Sequence, residues 1–212
     1  ETYLSKEVDV TTYLNAIQTQ HDFVKVIFTG AGTSAYVGDI ITPYLNQVSD
    51  QGRRMFHAHA TTDIVSNPRA YFQENIPTLL VSFARSGNSP ESVAAVNLGK
   101  QLVKDFYQLT MTCAPEGALA KAAVGDDKNI VILQPAKAND QGFAMTGSFT
   151  CMTLTALLTF DTTNTDNKVS FVKFAIRMSK SVYTREAEIQ SMLDSDFNRV
   201  IYLGSGGFVG LA

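Results

Sequence analysis

Two short stretches of the 212-residue chain place glycines and small hydroxyl residues where they could grip an anion. The first is Gly30-Ala31-Gly32-Thr33-Ser34, directly after an apolar run. Glycines let a backbone turn sharply and come close to a ligand. Amide groups at a helix start, with the hydroxyls of Thr33 and Ser34 beside them, form a nest for negative charge. Taken alone, the same residues also describe a plain strand-to-helix turn. The second stretch is Ser82-Phe83-Ala84-Arg85-Ser86-Gly87-Asn88-Ser89-Pro90-Glu91, again between an apolar run and a helix start. Ser89 reads as an N-cap, Pro90 as the first helical residue and Glu91 as the acid of the first turn. The positive end of that helix favours a phosphate, and Arg85 adds a formal charge. Two such loops in one α/β domain fall at the carboxyl edge of its sheet, where open parallel sheets bind ligands. Together they point to one small phosphorylated molecule held by several hydroxyls and amides.

Other chemistries fit less well. Gly30-Ala31-Gly32 begins like the dinucleotide pattern G-x-G-x-x-G, with Ala35 at the third glycine. The next strand ends near His57-Ala58-His59-Ala60-Thr61, and no carboxylate precedes Asp63 to hold a ribose. A P-loop lysine is also missing, so no nucleotide cofactor is expected. His57 and His59 share a strand face. Without a third His, Cys or carboxylate at metal-ligand spacing they read as packed or solvated side chains, and no metal is expected. His21 reads as a surface residue, Glu186 and Glu188 beside Arg185 as a solvated helix face, and Asp126-Asp127-Lys128 as a turn. Phe143, Phe149 and Phe160 read as core.

The elements that must position the two loops are written in the apolar pattern. Apolar, β-branched runs recur at residues 24–29, 78–83, 107–112 and 129–133, with a weaker one at 55–60, and helix-period stretches lie between most of them. Runs that are continuous rather than alternating belong to a sheet covered on both faces. The expected fold is therefore α/β, a three-layer α/β/α sandwich with a five-stranded parallel sheet and a helical extension. Behind Ser34, residues Tyr36, Val37, Ile40, Ile41, Tyr44, Leu45 and Val48 make one apolar stripe, which Pro43 is expected to kink or loosen. The helix after Ser89 is expected to reach about residue 106. Residues 143–160 and 169–193 read as helices on either side of the polar loop 161–167. A new apolar strand is expected at 199–203, running into Gly204-Ser205-Gly206-Gly207. That repeats the organisation of residues 24–34 at the distance of one domain. The pattern predicts one domain over 1–194 and, over 195–212, the first strand and glycine turn of a second copy.

Composition sets the outer limits. The chain is 45% hydrophobic and 17% charged, which describes a folded globular protein, and no apolar run reaches the roughly 18 residues of a membrane span. A net charge of −3 without a Lys/Arg cluster argues against nucleic acid or an anionic membrane as partner, so local donors must hold any anion. Cys113 and Cys151 lie far apart without a CxxC motif and read as reduced thiols of the cytoplasm. The start at Glu1, without methionine or a signal peptide, reads as a missing native N-terminus.

The two loops taken together resemble the paired phosphosugar motifs of the sugar isomerase (SIS) family. The longer strings at 29–39, 82–96 and 142–150 are similar to its tagatose-6-phosphate ketose/aldose isomerase branch, whose members are also described as galactosamine-6-phosphate deaminase/isomerases. The resemblance runs from about Val24 to Ala212. It implies a flavodoxin-like five-stranded parallel sheet between helices, two SIS domains in tandem and a homo-oligomer. It also implies that the hydroxyls of Ser34, Ser86 and Ser89 hold a sugar phosphate, with Gly32, Thr33, Gly87 and Asn88 supplying backbone or amide contacts. At one position the chain departs from the related glucosamine-6-phosphate synthase, which carries a serine where Ala84 stands; Arg85 is expected to compensate. The segment Ala144-Met145-Thr146 loosely matches a stretch that lines the sugar in relatives, which makes Thr146 a candidate contact.

Aldose–ketose interconversion needs a base that moves a proton between C1 and C2 through an enediol, and deamination needs in addition an acid that expels ammonia. The resemblance puts the catalytic glutamate and a histidine in the second SIS domain, so catalytic residues are expected beyond Ala212 and the chain by itself is expected not to turn over substrate. A rival reading is a sugar-phosphate-sensing module of a transcriptional regulator, which would carry a basic helix-turn-helix before the domain. The second glycine-turn strand favours the tandem enzyme. The choice between galacto and gluco substrates, and between isomerisation and deamination, stays open at this level.

Overall fold

The computed structural model describes residues 3–142, 144–163, 167–194 and 196–211. Phe143, with Glu1 and Ala212, lies outside the described residues. Five parallel strands make one sheet: β1 (Val24–Gly30), β2 (Arg54–Ala60), β3 (Thr78–Ala84), β4 (Phe106–Thr112) and β5 (Asn129–Leu133), in the order β2-β1-β3-β4-β5. Each lies within two residues of its apolar run. β3 and β4 are buried at every position, which is why they read as unbroken apolar runs.

Helices cover both faces. On one side lie α1 (Glu7–Gln20), α2 (Thr33–Val48) and α7 (Thr146–Phe160), which pack Ile17, Val37, Ile41, Leu45, Met152 and Phe160 against Val26, Phe28, Val81 and Leu109. On the other lie α3 (Thr61–Ser66), α4 (Pro68–Tyr71), α5 (Pro90–Leu102) and α6 (Ala118–Lys121), where Ile64, Ala95, Val96 and Leu119 meet Ile27 and Leu80. Successive strand residues alternate between the two layers, as the β-pleat requires. Phe28 centres the first layer, its ring 5.5 Å from Phe56, 5.7 Å from Phe83 and 5.3 Å from Phe160. Phe160 is thus core as expected, and Phe149 packs half-buried against the same cluster.

Four local expectations change. α2 runs unbroken through Pro43. The missing amide costs roughly 3 kcal/mol in a helix interior, but the full burial of Val37, Ile41 and Leu45 holds the segment helical. α5 stops at Leu102 rather than near 106, because Phe106 is drawn into the sheet, where its ring packs edge-on against Phe72 at 6.1 Å. The helix expected over 169–193 is two, α8 (Lys168–Tyr183) and α9 (Glu186–Leu193), and neither buries a residue. Residues 199–203 join no ladder, and Val200, Ile201, Tyr202 and Leu203 stay exposed. A strand exists only where a neighbour accepts its amides and carbonyls, and the sheet ends at β2 and β5. Residues Gly206–Gly210 form a 3-10 turn instead.

Polar ties hold the first helical layer to the extension. Lys168 Nζ pairs with Glu7 Oε1 at 2.6 Å, and Tyr3 OH donates to the Leu158 carbonyl at 2.8 Å. Among the described residues no helix is long and apolar enough to cross a membrane.

Candidate functional site

The strand order reverses direction between β1 and β3. The chain steps outward from β1 to β2, then returns to place β3 on the other side of β1. At such a switch point the two outgoing loops part and leave a crevice at the carboxyl edge, the usual ligand site of open α/β sheets. The loops that leave β1 and β3 are the two glycine- and serine-bearing stretches. Thr29 and Ser82 are register partners at the ends of their strands, which brings Gly32, Thr33 and Ser34 beside the loop of Arg85, Ser86, Gly87, Asn88 and Ser89.

Each loop turns through a left-handed glycine and enters a helix. Gly32 has φ +58° at the N-cap of α2, and Gly87 has φ +65° ahead of α5. Only glycine adopts this conformation at little cost. The Ser34 and Ala35 amides turn back to the Ala31 and Gly32 carbonyls, and the Ser92 and Val93 amides to that of Ser89, while the aligned peptide dipoles of α2 and α5 leave partial positive charge at both helix starts. Thr33, Ser86 and Asn88 are exposed and Ser34 and Ser89 half-exposed.

The second loop is stiffened from behind. Asn88 Oδ1 accepts the Ala118 amide at 2.9 Å, and the Gly87 carbonyl accepts the Leu119 amide at 3.1 Å, which docks the loop on α6. Ser86 Oγ accepts the Asn88 amide at 3.4 Å. Ser89 stands at the N-cap of α5 with Pro90 behind it, as read from sequence, but its hydroxyl does not cap the backbone. It pairs with the buried Ser92 Oγ at 2.8 Å.

Arg85 makes a contact within the protein. Its Nη1 donates to the carbonyl of Asp140, so part of its donor set is already engaged. Thr146 is the first residue of α7 and exposed, with Asp140 accepting the next two amides of that helix, those of Gly147 and Ser148. Asp140 is the residue the sequence reading missed. Its partners lie 7 and 8 residues ahead and 55 behind, at none of the spacings by which a helix or strand brings side chains together.

Beneath the loops lie two buried hydroxyls. Thr29 Oγ1 and Ser82 Oγ, each on a residue 2% exposed, have no hydrogen-bond partner among the described residues. The groove along the β5 edge, lined by Pro115, Val124, Ile130 and Leu133 among others, includes no residue of either glycine loop.

His57 and His59 share one face of β2, half-buried, with rings 5.9 Å apart, and the His59 ring lies 4.5 Å from that of Tyr71. No group of three or more metal-ligating side chains occurs among the described residues. Burial holds both imidazoles below their ordinary pKa, with the Lys25 ammonium adding to it. Cys113 and Cys151 are free thiols, and burial pushes Cys113 up to about 11, which leaves it an inert thiol at neutral pH.

Comparison with known proteins converges on one family. The SIS domain matches residues 21–160. The D-galactosamine-6-phosphate deaminase AgaS of Shewanella sp. (strain ANA-3) is 42% identical over 190 residues, covering 89% of this chain and 48% of that protein. The same-named protein of Escherichia coli is 44% identical over 190 residues, with the same coverage. The chain therefore spans about half the length of the curated relatives it matches. Among solved structures, the tagatose-6-phosphate ketose/aldose isomerase of Escherichia coli superposes with a TM-score of 0.87 at 39% identity, covering 97% of this chain and 55% of that one. The C-terminal domain of glucosamine-fructose-6-phosphate aminotransferase from Francisella tularensis, 14% identical with a TM-score of 0.65, shares the fold.

Proposed function

The chain belongs to the SIS domain family, and from that premise we propose that it is the phosphosugar-holding part of an enzyme that isomerises or deaminates a hexose 6-phosphate, of the galactosamine-6-phosphate or tagatose-6-phosphate type. One observation carries the reading: two loops at the β1/β3 switch point, each with a left-handed glycine and serine hydroxyls, each feeding a helix N-terminus. A phosphate dianion between them would meet two helix starts and the hydroxyls of Ser34, Ser86 and Ser89, with Thr33, Asn88 and the amides of Gly32 and Gly87 around it. The overall charge of −3 gives no general attraction for anions, so this local donor set must supply the affinity. The names of the relatives support the choice of sugar.

The proton transfers of isomerisation or deamination belong, in this proposal, to the part of the relatives' length that the chain does not span. Residues 1–194 are proposed as one SIS domain and 195–212 as the lead into a second. The exposed apolar side chains of α8 and α9, Phe174 and Met178 among them, support a homo-oligomer or a packed neighbouring domain. The free thiols and the metabolic enzymes among the relatives support a cytoplasmic protein.

The test is a thermal-shift titration with galactosamine-6-phosphate, tagatose-6-phosphate, glucosamine-6-phosphate and inorganic phosphate. Saturable stabilisation by sugar phosphates beyond that of inorganic phosphate supports the reading, and no stabilisation by any of the four overturns it. Turnover of the same sugars is then assayed on the longest natural form of the chain.

A further inference from the structure

Asp140 is bound from two directions. Its backbone carbonyl accepts Arg85 Nη1 at 2.5 Å. Its carboxylate caps α7: Oδ1 accepts the Gly147 amide at 3.1 Å, and Oδ2 accepts the Ser148 amide at 2.7 Å and the Ser148 hydroxyl at 2.9 Å. The cap satisfies two amides that the helix cannot pair internally, and hydrogen bonds from Ser148 hold the carboxyl below its ordinary pKa. The fit is close. A Cβ on Gly147 would stand 2.6 Å from Oδ1, so a larger residue there would push the carboxylate out.

Arg85 is also fixed at its backbone. Thr112 Oγ1, at the end of β4, donates to the Arg85 carbonyl at 3.3 Å and accepts the Ala114 amide at 3.1 Å. The guanidinium therefore bridges a backbone anchored on the sheet to the residue that caps α7. A main-chain carbonyl carries no net charge and is a weaker partner for a guanidinium than a carboxylate or phosphate. What the contact supplies is geometry: it links the loop that bears Ser86 and Ser89 to the helix that begins with Thr146.

We propose that Arg85 is a positioning residue that acts through Asp140, locking the β3–α5 loop to the first turn of α7 and so setting where Thr146 stands relative to Ser86 and Ser89, rather than a ligand of the phosphate. This rests on the phosphosugar reading, since Thr146 borders the sugar only if Ser86 and Ser89 hold its phosphate. The two roles of Arg85 separate by ligand. A phosphate-ligating Arg85 contributes equally to inorganic phosphate and to a sugar phosphate. A positioning Arg85 matters for the part of the ligand that reaches α7, which inorganic phosphate lacks.

The experiment compares the full chain with Arg85→Met, Asp140→Ala and the double variant. Hydrogen exchange at the Gly147 and Ser148 amides is read by NMR without ligand, and affinities for inorganic phosphate and galactosamine-6-phosphate are read by calorimetry. Arg85→Met is expected to speed exchange at both amides by about tenfold or more. It should also weaken galactosamine-6-phosphate about tenfold while leaving inorganic phosphate within about twofold. In the Asp140→Ala background it should add less than about twofold to either ligand. Arg85→Lys, which keeps the charge on a shorter reach, is the second variant and should move the same amides less. Unchanged exchange in Arg85→Met overturns the lock. Equal loss of both ligands overturns the positioning role and makes Arg85 a phosphate ligand. If the unmodified chain binds neither ligand, the phosphosugar reading falls and this proposal with it, while exchange still reports separately whether Arg85 secures α7.

Discussion

Gly30 and Ser34 approach so closely across the first loop that a Cβ on Gly30 would lie 2.7 Å from the Ser34 carbonyl carbon and 2.8 Å from its Cβ. The atoms it would strike belong mainly to backbone, which cannot rotate away as a side chain can. Gly30→Ala is therefore expected to destabilise the chain by about 1–3 kcal/mol and to displace Ser34. Urea unfolding measures the first effect and phosphate titration the second. A variant as stable as the parent with unaltered phosphate affinity would show that the loop can relax around the methyl group.

Ser86 and Ser89 make a pair of substitutions that ought to differ. Ser86 is exposed and its hydroxyl only receives the Asn88 amide at 3.4 Å, so Ser86→Ala should leave stability nearly unchanged. Ser89→Ala leaves the Ser92 hydroxyl, on a residue 3% exposed, without its 2.8 Å partner, and should cost about 1 kcal/mol of stability. Both should weaken sugar-phosphate binding by about 1–3 kcal/mol if their hydroxyls donate to the phosphate. Calorimetry that finds neither affinity altered would remove these serines from the site.

Phe28→Ala should be among the most damaging core changes. The ring is fully buried and touches those of Phe56, Phe83 and Phe160. Losing its transfer energy and leaving a cavity costs about 3–5 kcal/mol. Phe28→Leu, which keeps most of the volume, should recover more than half of that. Equal losses for the two variants, by chemical denaturation, would mean that ring contacts matter here more than volume.

The histidine pair predicts a pH dependence. Burial first, then the Lys25 ammonium for His57, and the other imidazole as well for His59, lower their folded-state pKa values below the unfolded value. Below about pH 6.5 the unfolded chain takes up protons that the folded chain resists. Their contribution to stability is thus complete above that pH and declines as pH falls toward the folded-state values. Urea midpoints measured from pH 8 to pH 5 should fall, and His59→Gln should flatten the slope. An identical slope in His59→Gln would locate the titration elsewhere.

Much of this structure is legible in one dimension because its signals are short in range. The unbroken apolar runs of β3 and β4 mark strands buried on both faces, and Ser89-Pro90-Glu91 marks the start of α5. Signals failed where packing outweighs local preference. Pro43 argues for a kink, but Val37, Ile41 and Leu45 are anchored in the core on both sides of it. Residues 199–203 look like a strand, and pairing rather than propensity decides whether they become one.

From the sequence alone follow the α/β class, the five strands, the two loops and the hydroxyls they carry, because each depends on residues a few positions apart. Tertiary structure alone decides that the two loops leave neighbouring strands at the same edge of the sheet, through a strand order that seats β3 against β1 and pairs Thr29 with Ser82. It also decides that Arg85 turns to Asp140, 55 residues away. Periodicity records which face of an element is buried and not which partner buries it, so contacts between distant segments exist only once the sheet has ordered its strands.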